Sequence, residues 1–258
     1  MRYIVGLLLL SACWPGFENA TYVHGLRVLA VKAEPPEAAP GSNVAMQALV
    51  VDTDGAAITA DWVACTLPAV PGTGQVNPLC LTTGPVVPLG SGLSVNITVP
   101  DVVPLAFGPA DETGGVYLPL RLQTRADARA VDAMYRLRLL TAATANTNPK
   151  ITEITASTDV LEEANPPVVH LGDRLSFKAK VEGAETFGVG SRELTELLRV
   201  SWFVTGGTLS EGATGQDEPT VWRARDKMPA PGEFVEIYAV ARDERGGIDF
   251  AHRRLQLE

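Results

Sequence analysis

Histidine is scarce in this 258-residue sequence: only His24, His170 and His252 occur, none close to another or beside a cysteine or carboxylate at ligand spacing. Catalysis needs a nucleophile, a base and an orienting group within reach, or an equivalent metal cluster. The three histidines supply neither, and each reads as a surface or edge residue. Gly-x-Ser-x-Gly is absent, and Gly188-Val189-Gly190-Ser191 has neither the preceding strand nor the lysine of a phosphate cradle, which leaves a connecting loop. Basic clusters are missing too. Lys and Arg total 21 against 30 Asp and Glu, a net charge of −9, and no window collects cations without intervening acids. Phosphate binding depends on a basic footprint, so nucleic acid is excluded as a partner. No apolar run reaches the ~20 residues of a transmembrane helix. Aromatic residues make up 6% of the chain and form no ladder of adjacent rings. The expectation is a protein that is not an enzyme and carries no cofactor and no metal.

What the sequence does have is turn chemistry. Its 19 prolines and 24 glycines punctuate short alternating segments, a composition suited to strands joined by turns. An internal repeat organises them. Pro35-Pro36-Glu37-Ala38-Ala39-Pro40-Gly41-Ser42-Asn43-Val44 aligns without gaps on Pro166-Pro167-Val168-Val169-His170-Leu171-Gly172-Asp173-Arg174-Leu175. The first copy continues with Val44, Met46, Ala48 and Val50 on one face, the second with Leu175, Phe177, Ala179 and Val181, which is the period-2 pattern of half-buried strands. Each copy then presents a tryptophan, Trp62 and Trp202. The offset between copies is 131 residues at Pro-Pro and 140 at the tryptophan, so the second copy holds an insert. Within it Leu194, Leu197 and Leu198 stand at i, i+3 and i+4, and the spacing predicts one or two helical turns over 192–199.

A buried tryptophan one turn after a Gly-led alternating strand resembles the B and C strands of immunoglobulin-like sandwiches. Residues Pro231 to Gly247, with a Pro-Gly turn, the alternating run Phe234 to Ala241 and Asp243-Glu244-Arg245-Gly246-Gly247, resemble the C-terminal half of bacterial Ig-like and PKD-like domains, with a last strand from Ile248 to Leu257. In the first copy the strand after Tyr117 and the strand Met134 to Leu140 would serve as the equivalent pair, joined by a longer segment from Thr124 to Ala133. The resemblance implies an all-β chain of two tandem Ig-like sandwiches, domain 1 over residues 26–146 and domain 2 over 147–258, meeting near Ala142–Pro149. Trp62 and Trp202 are then core residues. Trp222, Phe234 and Tyr238 are either packed or lined up on a glycan-binding face, and packing is the favoured reading.

The first residues carry a second resemblance. Arg2, the apolar run Tyr3 to Leu10, and Ser11-Ala12-Cys13 look like a bacterial lipoprotein signal peptide ending in a lipobox. The resemblance implies cleavage before Cys13, with 1–12 removed, Cys13 lipidated and 13–25 a tether to the membrane. Trp14, where an aspartate would retain such a protein in the inner membrane, points to the outer membrane, on its periplasmic or cell-surface side. Such leader-plus-two-sandwich chains also resemble lipoproteins of myxobacterial type. With Cys13 assigned, Cys65 and Cys80 remain as an even pair in a compartment that permits disulfides, and a Cys65–Cys80 bridge is expected; a metal site at either cysteine lacks ligands.

Asp52-Thr53-Asp54-Gly55 starts like a calcium loop but lacks its later ligands, so a hairpin turn is expected there, and again at Asp243 to Gly247. Asp159, Glu162 and Glu163 are candidates to complete a calcium site at the domain junction. The function that fits best is a non-catalytic envelope component that binds other envelope proteins. The alternative is a surface adhesin or glycan-binding module.

Overall fold

Alternation decides nearly every element of this chain. In the first copy Val44, Met46 and Ala48 are buried and the residues between them exposed; in the second Phe177, Ala179 and Val181 repeat the pattern. The computed structural model describes residues 19–67, 76–101, 110–139 and 145–258, and Cys13 lies outside them. Among the described residues there is one short 3-10 turn, Pro78–Leu81, and no α-helix.

Domain 1 comprises β1 (Leu26–Glu34), β2 (Glu37–Ala38), β3 (Asn43–Asp52), β4 (Ile58–Cys65), β5 (Val86–Ser91), β6 (Ser94–Thr98), β7 (Val116–Ala126) and β8 (Arg129–Leu139). They form two sheets in the orders β1-β3-β6 and β2-β8-β7-β4-β5. Domain 2 comprises β9 (Lys150–Ala156), β10 (Asp159–Val160), β11 (Val168–Val169), β12 (Arg174–Glu182), β13 (Thr186–Val189), β14 (Arg192–Thr195), β15 (Arg199–Val204), β16 (Thr208–Leu209), β17 (Ala213–Gly215), β18 (Thr220–Arg223), β19 (Phe234–Arg242) and β20 (Ile248–Leu257). Its sheets run β10-β9-β12-β18-β16 and β11-β20-β19-β15-β17, with β13-β14 as a separate hairpin. In both domains the Pro-Pro motif leads into a two-residue strand that switches sheets and pairs parallel to the last strand, β2 with β8 and β11 with β20. These are two immunoglobulin-like sandwiches.

The tryptophans fix the two cores. Trp62 is 1% exposed and donates its indole N–H to the Gly92 carbonyl at 2.8 Å. Trp202, fully buried, donates to Thr214 Oγ1 at 3.1 Å. Trp222 is also fully buried, donating to the Gly206 carbonyl at 2.8 Å, so it belongs to the core and not to an exposed face. Phe177 stacks on both domain 2 tryptophans, with ring centroids 6.2 and 6.0 Å away. Each indole satisfies its one donor, which removes the desolvation cost of burying it.

Two sequence expectations fail. Residues 192–195 form β14 and not a helix: Gly190, in the left-handed region at φ 61°, turns the chain with Ser191, and Phe187 pairs across from Leu194. Of the three leucines only Leu198 is buried, while Leu197 is 58% exposed, so the apparent helical stripe never meets a core. In domain 1 the segment Thr124 to Ala133 is not a connection. It continues both strands into a tight hairpin, with Ala126 opposite Arg129 and Asp127 at φ 51°. Thr124, fully buried, donates its hydroxyl to the Val131 carbonyl at 3.1 Å, and so tolerates a place inside the ladder.

Cys65 and Cys80 form a disulfide, with Cα atoms 5.6 Å apart. It joins the end of β4 to the 3-10 turn, whose Leu79 and Leu81 are exposed, as are Val86 and Val87 on β5. Pro88 interrupts β5, the edge strand there, and protects that edge from further pairing.

Candidate functional site

The domain junction gathers most of the buried charge among the described residues. Asn146, 2% exposed, is its hinge pin. Its backbone N–H donates to Glu37 Oε2 at 3.0 Å, its Nδ2 to Asp243 Oδ2 at 2.9 Å, and its Oδ1 accepts from Arg245 Nη2 at 2.7 Å. One linker residue thus joins β2 of domain 1, through its backbone, to the β19–β20 turn of domain 2, through its side chain. Arg245, on that turn, also donates to Glu196 Oε1 at 2.7 Å and Glu185 Oε2 at 2.6 Å, with its guanidinium 4.8 Å from the Phe187 ring. Glu37 is in turn ion-paired with Arg138. Three carboxylates, Glu37, Glu185 and Glu196, therefore meet two guanidiniums, with Asp243 held beside them by the Asn146 amide. Burial pushes the Glu196 carboxyl above its ordinary value; hydrogen bonds from Arg245 and the Glu185 backbone oppose this, and the Asp243 charge adds to it.

Further contacts extend the seam. Asn148 accepts the Ile248 N–H at 2.8 Å and donates to Ala33 O at 2.7 Å. Lys32 pairs with Asp249 at 2.9 Å. Arg242 reaches from β19 to the Leu29 carbonyl at 3.2 Å, and burial lowers its pKa. Leu29, Val23 and Tyr238 pack together, flanked by Leu49, Val51 and Phe203, an apolar cluster shared between the domains.

The stretch expected as a tether takes part in that cluster. Tyr22 bridges to Val204 in parallel, the Val23 N–H donates to Val204 O at 2.8 Å, and the Val204 N–H donates to Thr21 O at 2.9 Å. Thr21–Val23 therefore dock on the end of β15 instead of standing free, because Val23 is fully buried there.

Beside this docked segment lies an open cleft of about 800 Å³. Tyr22, Phe234, Tyr238 and His252 supply rings, Asp52, Glu233 and Glu236 supply carboxylates, and Thr53, Thr205 and Pro229 complete the walls. On the floor His252 is hydrogen-bonded to Glu236 and stacked on Tyr238, with ring centroids 4.9 Å apart. Burial, reinforced by the Glu236 charge, pushes the Tyr238 phenol up to about 12, so the ring stays neutral. At the margins Lys227 sits 4.2 Å from the Tyr22 ring and Arg254 5.0 Å from the Phe234 ring.

The other sequence-picked residues fall as follows. His24 is exposed beside Tyr22, and His170 is exposed near Asp173 and Glu258. His252 lies at the cleft and not on a plain edge. Asp52 and Asp54 both pair with Arg129, and Asp52 Oδ2 accepts the Ala56 N–H at 3.0 Å: a turn held by a guanidinium where a calcium loop would place its ion. Asp243 Oδ1 accepts the N–H groups of Arg245 and Gly247 at 2.8 and 2.7 Å, which is again turn chemistry. Asp159, Glu162 and Glu163 do not join Asp243 in a cation site; no cluster of three potential ligands occurs among the described residues. Sequence reasoning missed Tyr22, Glu236 and the Arg245 network. Glu236 and Tyr238 alternate with Val235 and Ile237 along β19, a signal that this outer face is mixed, but nothing in the order of residues says that domain 1 lies against it.

The chain matches no family model and no curated protein. Among solved structures it is similar to the three N-terminal domains of the outer capsid protein Hoc of bacteriophage RB49, at 12% identity over 91% of this chain and 70% of that one, with a TM-score of 0.24. It is also similar to the Ig1-2 module of the Drosophila receptor protein tyrosine phosphatase DLAR, at 12% identity over 91% and 100%, TM-score 0.29. A third likeness is to the Yersinia pseudotuberculosis adhesin InvE, at 9% identity over 88% and 58%, TM-score 0.25.

Proposed function

We propose that this chain is a lipid-anchored, non-catalytic component of a bacterial cell envelope, held at the outer membrane through Cys13 and acting by binding other envelope proteins. The observation that carries the reading is the locked junction. Asn146, Arg245 and the apolar cluster around Val23 fix two sandwiches in one arrangement, so surfaces contributed by both domains are presented together and ready-formed. A preformed surface spares a binding partner the entropy of ordering it.

Docking of Thr21–Val23 also sets the distance to the membrane. Cys13 lies six positions before Asn19, a reach of ~20 Å at 3.3–3.6 Å per residue. A lipid on Cys13 would therefore hold the junction, and not domain 1 alone, close to the bilayer. The test is crosslinking and affinity purification from native membranes, with metabolic labelling by a fatty-acid analogue. A labelled band that is lost in Cys13→Ala, together with a reproducible set of envelope partners, is the expected result. An unlabelled chain, or one recovered alone, sinks the proposal.

A further inference from the structure

We infer that Thr21–Val23 is a releasable strap that gives the membrane tether two lengths, a short one while it is seated on domain 2 and a long one when it lifts away. This rests on the lipid-anchor reading above and adds a conformational state to it. The argument starts from how little holds the strap. It joins β15 through one isolated bridge, Tyr22 to Val204, with backbone bonds from Val23 N–H to Val204 O at 2.8 Å and from Val204 N–H to Thr21 O at 2.9 Å. Arg27 Nη1, on β1, donates to the Tyr22 and Ala20 carbonyls at 2.7 and 3.1 Å. Of the three side chains Val23 is the one that is fully buried. Ordering three residues costs conformational entropy of the same order as one buried valine and a few hydrogen bonds return, so the strap stands near balance. The sandwich cores do not, and local opening is drawn from the weakly held end of that range.

Both ends of the strap are places where the chain turns. At its start Asn19 closes a turn, its carbonyl accepting the Tyr22 N–H at 2.9 Å and its Oδ1 the Thr21 N–H at 3.1 Å. At its end Gly25 stands in the left-handed region at φ 63°, and its N–H donates to Thr53 Oγ1 at 2.7 Å, which keeps the hinge on domain 1 when the residues before it move. Release therefore shifts the point where the tether meets the body from Asn19, beside the end of β15, to Gly25, beside β1. Cys13 lies six positions before the first and twelve before the second, so the reach grows from ~20 Å to ~40 Å at 3.3–3.6 Å per residue. Val23 also packs with Leu29 of domain 1 and Tyr238 of domain 2, so its departure takes one side chain out of the apolar cluster between the domains. The same binding surfaces would then stand at another height above the bilayer.

Two measurements on the full chain test the strap and the anchor apart. A lock is available: a Cβ at Gly212 would lie 2.6 Å from Thr21 Cγ2, so T21C/G212C can close a disulfide over the seated strap, with T21S/G212S as its unlocked control. In hydrogen exchange of the detergent-solubilised protein, the wild-type Val23 and Val204 amides should exchange at least about 100-fold faster than those of β12. R27Q should speed them about fivefold further, and oxidised T21C/G212C should slow them at least about tenfold while T21S/G212S stays fast. Val23 and Val204 amides that exchange no faster than β12 in the wild type would mean that the strap opens only with the whole domain, and the inference is overturned. Neutron reflection from supported bilayers carrying the lipidated chain reads the height of the protein layer. V23D should stand higher than oxidised T21C/G212C, by ~5 Å if the freed tether coils and by up to ~20 Å if it is drawn out. Equal heights overturn the two-length reading. A chain that carries no lipid and does not attach to the bilayer would end the anchor and the tether together, whereas fast exchange suppressed by oxidation would still establish the strap.

Discussion

Arg245→Met tests the junction most sharply. The arginine side chain is 4% exposed and its two carboxylate partners differ: Glu196 is fully buried and Glu185 26% exposed. Methionine keeps much of the volume and the contact with Phe187 but removes both ion pairs and the hydrogen bond to Asn146. Glu185 can turn to water and loses little. Glu196 cannot, and a buried carboxylate stripped of its partner costs about 3–5 kcal/mol. The pH dependence follows from Glu196. Its folded pKa is already raised, so the folded state holds its proton more firmly than the unfolded state does. That contribution is complete below the unfolded value and is lost as pH rises through the folded value. Removing Arg245 takes away a hydrogen bond that opposed the rise, and so moves the folded value further up and widens the window. Urea unfolding of wild type and R245M should therefore show a deficit of about 3–5 kcal/mol at neutral pH that narrows toward pH 5, with R245M/E196Q recovering part of it. A neutral-pH deficit under about 1 kcal/mol, or one that grows on acidification, refutes the reasoning.

Three other perturbations probe separate parts of the molecule. Reducing the Cys65–Cys80 bridge, or replacing both cysteines by serine, should lower domain 1 stability by roughly 3 kcal/mol, the chain-entropy value for a loop of this length, seen as a shift in urea midpoint with and without reductant. Gly207→Ala places a Cβ 2.5 Å from both Trp222 Nε1 and the Arg223 carbonyl, at φ 76°; left-handed strain and overpacking together should cost about 2–4 kcal/mol in calorimetry, and a shift of midpoint too small to measure would contradict the geometry. Val23→Asp puts a charge where the side chain is fully buried, so Thr21–Val23 should undock, and the Val23 and Val204 amide protons should exchange at least about tenfold faster by hydrogen exchange while the core of β12 keeps its protection.

The sandwiches were legible because their determinants are local. Alternation from Val44 and from Phe177, the tryptophans Trp62 and Trp202 and the turn at Asp243 to Gly247 each act within a few residues, and each lies where the pattern put it. The hairpin β13-β14 was misread because two signals competed. Leucines at i, i+3 and i+4 suggested a helix, while Gly190-Ser191 between two short runs was the turn signal that won, since only Leu198 had a core to meet. The extension of β7 and β8 was hidden by charged residues at 125–132, which on a strand facing solvent carry no information about where pairing stops. The junction and the cleft were illegible for a different reason. Asn146, Glu196, Arg245 and Tyr22 lie in four separate parts of the chain, and only the packing of domain 1 against β19 and β20 brings them near one another.

The two copies of the repeat solve the same packing problem unequally, and the difference explains the junction. Domain 2 closes two five-stranded sheets over Trp202, Trp222 and Phe177. Domain 1 has a three-stranded sheet on one side and a single tryptophan in a core otherwise made largely of aliphatic residues. A smaller sheet buries less apolar area, and hydrophobic stabilisation scales with that area at about 25 cal/mol per Å². Two features offset the deficit. The disulfide constrains the unfolded chain at the far edge of the larger sheet, and domain 2 covers β1 and β3 through Leu29, Leu49 and Val51. The second of these makes domain 1 depend on its neighbour, so a substitution such as R245M should lower the unfolding midpoint of domain 1 as well as that of domain 2, which holds the arginine.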